Sequence, residues 1–111
     1  MDEKVNSIGE EMKFDTTIFQ LEQGNLTVRR GLKWASIKKG EFLNDNDGVT
    51  YNKVLYTKIK RFIDITPKEL KQEHDPLCRV KSNLLKVMKR IYPDFDQYEL
   101  VTLVFFINYG Y

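Results

Sequence analysis

The sequence predicts an α+β domain: a small β-sheet, closed into a barrel, with two or three flanking short helices. Three observations predict it. Apolar and polar residues alternate over Leu26–Arg30, and a β-branched, aromatic run extends from Val49 to Ile65. Leu84, Leu85, Val87, Met88 and Ile91 fall at helical spacing, while Lys86, Lys89 and Arg90 take the opposite face. Glu99–Asn108 is apolar on both faces, as expected for a central strand covered from both sides.

The elements follow in order. Met1–Lys13 is polar and acidic, so residues 1–13 read as a flexible or loosely docked N-terminus and residues 14–111 as a single domain. Asp15-Thr16-Thr17 caps a short helix that Gly24 stops. The strand Leu26–Arg30 ends at Gly31. A turn at Lys38–Glu41 leads to a short strand at Phe42-Leu43, and Asp47-Gly48 is a hairpin signal. The long strand from Val49 to Ile65 needs a bulge, because its alternation slips between Tyr56 and Phe62. Thr66-Pro67-Lys68-Glu69 is a helix start, with a cap, an early proline and an acid at the third position. That helix ends before Asp75-Pro76. Ser82 is the expected cap of the next helix, and Pro93 stops it after Tyr92.

Composition excludes several classes. The 111 residues suit one domain, which usually takes about 100–200 residues. A 41% hydrophobic, 31% charged chain is globular rather than disordered. A formal charge of +2 argues against a strongly basic nucleic-acid coat and leaves room only for a local basic patch. With Cys78 the one cysteine and His74 the one histidine, neither a disulfide framework within the chain nor a His- or Cys-based zinc site is expected. The run Val101–Ile107 is too short to cross a bilayer, which takes about 20 residues. Without a signal-like start, the expectation is a cytoplasmic protein with a reduced thiol and no membrane contact.

Few motifs carry chemistry. There is no Gly-rich phosphate loop, no Gly-x-Ser-x-Gly elbow and no His-Glu-x-x-His. Pro76 between His74 and Cys78 disrupts a nucleophile–base pair, so Cys78 reads as a small buried thiol. Arg29-Arg30-Gly31-Leu32-Lys33-Trp34 is more suggestive. An arginine can fork onto a phosphate while a tryptophan stacks on a base, and Lys38 and Lys39 extend the positive stretch. The plain reading is that an arginine pairs with nearby acids and Trp34 packs over the sheet. In His74-Asp75-Pro76 the aspartate could orient the imidazole, although such a tripeptide is more often a turn.

The order of these features resembles the ASCH domains of the PUA-like superfamily, across Phe14 to Asn108. The resemblance rests on the helix ending at Gly24, on Leu26-Thr27-Val28-Arg29-Arg30-Gly31, and on Lys39-Gly40-Glu41 before a long strand. It continues with Glu73-His74, Ile91-Tyr92-Pro93 and the terminal strand Glu99–Phe106. The resemblance implies a small PUA-like β-barrel whose cleft takes RNA or a nucleoside. One branch of the family looks like an amidohydrolase that deacetylates N4-acetylcytidine. It uses a lysine and a threonine in Gly-x-Lys-Thr-x-Thr-x-Arg, with a glutamate shortly after the equivalent of His74. Here Thr27 matches, but Leu26 stands at the lysine position and Arg29 at the second threonine position. Leu77 or Cys78 stands where the glutamate belongs, and Glu73 is the acid near enough to substitute.

The expectation is therefore RNA or nucleoside/nucleotide binding through Thr27, Arg29, Arg30, Lys33, Trp34, Lys39 and His74. No catalytic residue, cofactor or metal is expected. The alternatives are an N4-acetylcytidine amidohydrolase-like enzyme, or an accessory protein of a phage or mobile element that acts through a protein partner.

Overall fold

The computed structural model describes residues 24–37 and 52–107 in full, and the backbone of 10–11, 42–44, 51 and 108. Its centre is the strand β5 at Leu100–Asn108, whose two apolar faces each find a cover. The other strands are β1 (Glu10–Glu11), β2 (Gly24–Arg30), β3 (Phe42–Asn44) and β4 (Tyr51–Arg61). They form one sheet of order β1-β3-β4-β5-β2, antiparallel except for the β1–β3 pair. The helices are α1 (Pro67–Leu70) and α2 (Lys81–Ile91), with 3-10 turns at Phe62–Asp64 and Pro76–Arg79.

Period-two alternation divides the core between the two faces of this sheet. On the helix face, Leu26, Val28, Val101, Leu103 and Phe105 pack with Phe62, Ile65, Leu70, Leu84, Met88 and Phe95. On the other face, Val54, Val104 and Phe106 are covered by Trp34 and Ile37 from the loop that follows β2. Each large side chain fully buried in this way contributes about 1.5–3 kcal/mol of transfer free energy. Gly31, at φ 72°, makes the left-handed turn that starts this loop, and the Thr102 hydroxyl donates to its carbonyl at 2.7 Å. The loop is thereby fastened to the central strand where it leaves β2.

The sheet is open rather than closed into the expected barrel. Among the described residues its edges are β1 and β2, and no ladder joins them. The outer edge of β2 is instead partly occupied by a short loop. Leu26 donates its N–H to Gln72 O at 2.7 Å, and its carbonyl accepts from His74 N–H at 3.0 Å.

Local details both match and correct the sequence reading. β4 carries the expected bulge, but at Leu55, where the register shifts between Val54 and Tyr56. Leu55 packs against the helix-face core, so the extra residue is an apolar one that the core accommodates. The capping box at α1 is complete. Thr66 Oγ1 accepts from Glu69 N–H at 3.2 Å, and Glu69 Oε1 accepts from Thr66 N–H at 2.9 Å. Ser82 does not cap α2. The chain enters that helix directly from the preceding 3-10 turn, with Val80 as cap and its carbonyl accepting from Asn83 and Leu84. The helix expected from Asp15, the turn at Lys38–Glu41 and the hairpin signal at Asp47-Gly48 lie outside the described residues, except that Gly24 opens β2.

Candidate functional site

Alternation along β2 sends Leu26, Val28 and Arg30 to the helix face and Asn25, Thr27 and Arg29 to the loop face. There Asn25 lies opposite Phe106, Thr27 opposite Val104 and Arg29 opposite Thr102. Asn25 and Thr27 are buried, and Arg29 is half-buried. The Arg29 Nε donates to Thr27 Oγ1 at 3.1 Å, which holds the guanidinium along the strand. Burial pushes the Arg29 guanidinium down to about 10, against the opposing charges of Tyr92 and Glu73.

The loop docked on the β2 edge supplies a second polar pair. His74 Nδ1 lies 2.8 Å from Glu73 Oε1 and 3.1 Å from the Leu26 carbonyl. Both neighbours are acceptors, so Nδ1 carries the hydrogen, and a neutral His74 has its lone pair on Nε2. Burial alone would lower the imidazole, but the Glu73 hydrogen bond and charge outweigh it and raise His74 above its ordinary value. Glu73 is fixed in turn, because Oε1 accepts from Asp75 N–H at 2.9 Å and its carbonyl accepts from Arg79 Nε at 2.9 Å. The His74 ring lies 6.4 Å from that of Phe106, and the Arg29 charge reaches it. Thr27, Arg29 and the Glu73–His74 pair therefore form one polar cluster beside an apolar sheet face.

No protein-family model matches the chain, and no curated protein matches it in sequence. Among solved structures, the fold matches the crystal structure of an ASCH domain from Lactobacillus crispatus JV V101 with a TM-score of 0.61. The match covers 78% of this chain at 10% sequence identity. The chain has an ASCH-type fold. At that identity the likeness speaks for the fold alone, and this chain spans 65% of the other's length.

Within this ASCH-type frame the remaining sequence candidates separate. Arg30 projects to the helix face. Its Nε and Nη2 donate to Glu99 at 2.8 and 3.0 Å, and its Nη1 donates to Asp94 at 3.1 Å. It also lies over the rings of Tyr92 and Phe95. It clamps β2 to the loop before β5 and stands across the sheet from Arg29. Trp34 is only 7% exposed and packs in the loop-face core, so it offers no open ring for stacking. Lys33 is exposed, with its Nζ 5.3 Å from the Trp34 ring. Lys39 lies outside the described residues.

The acid that orients His74 is Glu73 rather than Asp75. Asp75 instead caps the following 3-10 turn, with Oδ1 accepting from Leu77 N–H at 3.1 Å and Oδ2 facing Cys78 Sγ at 3.8 Å. Leu26, at the family's lysine position, is fully buried on the helix face, away from the Thr27 hydroxyl. Sequence reasoning missed Glu73 as the imidazole's partner and Asn25 as a buried polar neighbour. The adjacency of Glu73 and His74 was the available signal, but only the bend after α1 turns both side chains to one place. Among the described residues, no group of three or more His, Cys, Asp or Glu could hold a metal, and no helix is long and apolar enough to cross a membrane.

Proposed function

We propose that the protein binds RNA or a nucleotide in the cytoplasm, at the loop-face side of β2, through Arg29, Thr27 and His74, without transforming the ligand. The supporting observation is the Arg29–Thr27 hydrogen bond standing beside the buried Glu73–His74 pair. A guanidinium is a planar fork suited to a phosphate or to a base carbonyl, and the Thr27 hydrogen bond holds this one along the strand. The net charge of +2 limits the phosphates that can be neutralised, so affinity is modest and falls with salt. The ASCH-type fold is consistent with this ligand class.

The test is a titration of cytidine monophosphate into the wild type and Arg29→Gln at two salt concentrations. The wild type binds more tightly, and the difference shrinks at high salt. Equal binding by the two proteins removes the assignment. The ratio of absorbance at 260 and 280 nm after purification is a quick first indication of bound nucleic acid.

A further inference from the structure

The bulge at Leu55 has a second effect, on the helix face of the sheet. By shifting the register, it brings Tyr56 opposite Phe105, and the two rings stack with centroids 4.5 Å apart at 18°. Without the extra residue Tyr56 would share the loop face with Val54. Phe105 is buried, whereas Tyr56 is 46% exposed, so a ring backed on one side by Phe105 still meets solvent. Lys53 and Lys58 are the same-face neighbours of Tyr56 along β4, one on each side of it. Lys58 Nζ lies 6.0 Å from the Tyr56 ring and 5.8 Å from the Phe105 ring. Lys60 follows on the same face, and Lys58 and Lys60 share the single carboxylate of Glu69 at 3.0 Å each. The row Lys53, Tyr56, Lys58, Lys60 thus carries three ammonium groups against one acid.

We propose that this row on β4 is a contact surface for single-stranded nucleic acid. A base stacks on the exposed part of the Tyr56 ring, and flanking phosphates meet Lys53 and Lys58. Same-face residues on a strand stand about 6.5–7 Å apart, a spacing comparable to that of successive phosphates in an extended single strand. An acidic peptide would use the lysines but would gain little from a flat aromatic face already backed by a second ring, so the stack favours a nucleobase. The surface is separate from the Arg29 cluster, which lies across the sheet. It binds a strand of several nucleotides rather than a mononucleotide.

The probe is a fluorescein-labelled uridine decamer, titrated at several salt concentrations into the wild type, Tyr56→Leu and Lys53→Gln. Leucine still covers Phe105 but offers no stacking face, and Lys53→Gln alters only the end of a half-buried side chain. Circular dichroism confirms that both variants are folded. The expected result is roughly tenfold weaker decamer binding by Tyr56→Leu. Lys53→Gln should lower the slope of log affinity against log salt by about 0.7. Cytidine monophosphate binding, which reads the Arg29 cluster, should be unchanged in both. Wild type that does not bind the decamer at low salt overturns the proposal, as do unchanged affinity and slope in the variants. Displacement of the decamer by polyglutamate with Tyr56→Leu neutral also overturns it, and points to an acidic protein partner. If mononucleotide binding fails while the decamer behaves as described, the Arg29 assignment falls and this surface stands.

Discussion

Glu73 Oε1 and His74 Nδ1 stand 2.8 Å apart, with both side chains almost wholly buried at the edge of β2. The pair fastens the loop after α1 to that edge, because the same nitrogen also faces the Leu26 carbonyl. Burial alone would disfavour the charged imidazole, and the Glu73 carboxylate outweighs that effect.

This relationship makes stability depend on pH in a defined direction. The folded-state value of His74 is raised above 6.5 by Glu73, in spite of the opposing effect of burial. A raised histidine stabilises the fold fully below its unfolded value, and this contribution is lost as pH rises through the higher folded value. The unfolding free energies of wild type and His74→Gln should therefore differ most below pH 6.5 and converge as pH rises above it. Glu73→Gln should abolish that convergence. A difference that stays constant, or grows with pH, would contradict the role given to Glu73.

Glu69 behaves in the opposite sense. Its burial alone would raise its carboxyl, but the Thr66 N–H, Lys60 and Lys58 outweigh this and bring it down to about 2. Its contribution is present above the unfolded value of 4.5 and is lost as pH falls toward 2. Glu69→Gln should cost about 2 kcal/mol at pH 7, as for a hydrogen-bonded charge. Thr66→Ala should cost about 1 kcal/mol, as for an N-cap. Urea titrations at pH 7 and pH 3 measure both, with the Glu69→Gln loss shrinking at the lower pH. Equal stability of Glu69→Gln and wild type at pH 7 would refute the account.

Arg30 should matter for stability and not for ligand. Its hydrogen bonds to Glu99 and then Asp94 hold its guanidinium above its ordinary value and hold both carboxyls below theirs. Arg30→Ala should lower the melting temperature, because it unties β2 from the loop before β5. Cytidine monophosphate affinity should stay that of the wild type, since Arg29 lies on the other face. If Arg30→Ala loses the ligand while remaining folded, the division between the two arginines is wrong.

The difference between Arg29 and Arg30 marks where the sequence stopped being informative. Strand alternation identified β2, and period two places adjacent residues on opposite faces, yet which arginine pairs with Glu99 and Asp94 depended on contacts remote in sequence. The apolar periodicity of β5 revealed a strand covered on both sides because burial is written directly into residue type. The capping box at Thr66 was equally legible, being a local pattern of four residues. The bulge was expected from slipping alternation but misplaced, because the residue that the core tolerates is decided by packing around Phe105. Glu73 was missed as the partner of His74 because residues adjacent in sequence meet only where the backbone bends. Barrel closure depends on which strand ends meet, and no local pattern encodes that.

The last prediction concerns amide hydrolysis, the alternative raised from the sequence by one branch of the resembled family. A threonine hydroxyl is a weak nucleophile at neutral pH unless a neighbouring base takes its proton. The Thr27 hydroxyl instead accepts a hydrogen bond from Arg29 Nε, and an arginine remains protonated and cannot act as that base. Leu26, at the lysine position, is buried on the far face of the sheet. At the glutamate position, Leu77 is an exposed apolar residue, and Cys78 directs its thiol to Asp75. His74 is the remaining base, and no hydrogen bond joins it to Thr27 among the described residues. Without proton transfer the reaction forgoes a factor of about 10²–10⁴. N4-acetylcytidine incubated with the protein should therefore release no cytidine above the uncatalysed background, as followed by chromatography, and Thr27→Ala should behave identically. Turnover that disappears in both Thr27→Ala and His74→Gln would instead establish Thr27 as the nucleophile, with the Glu73–His74 pair as its base.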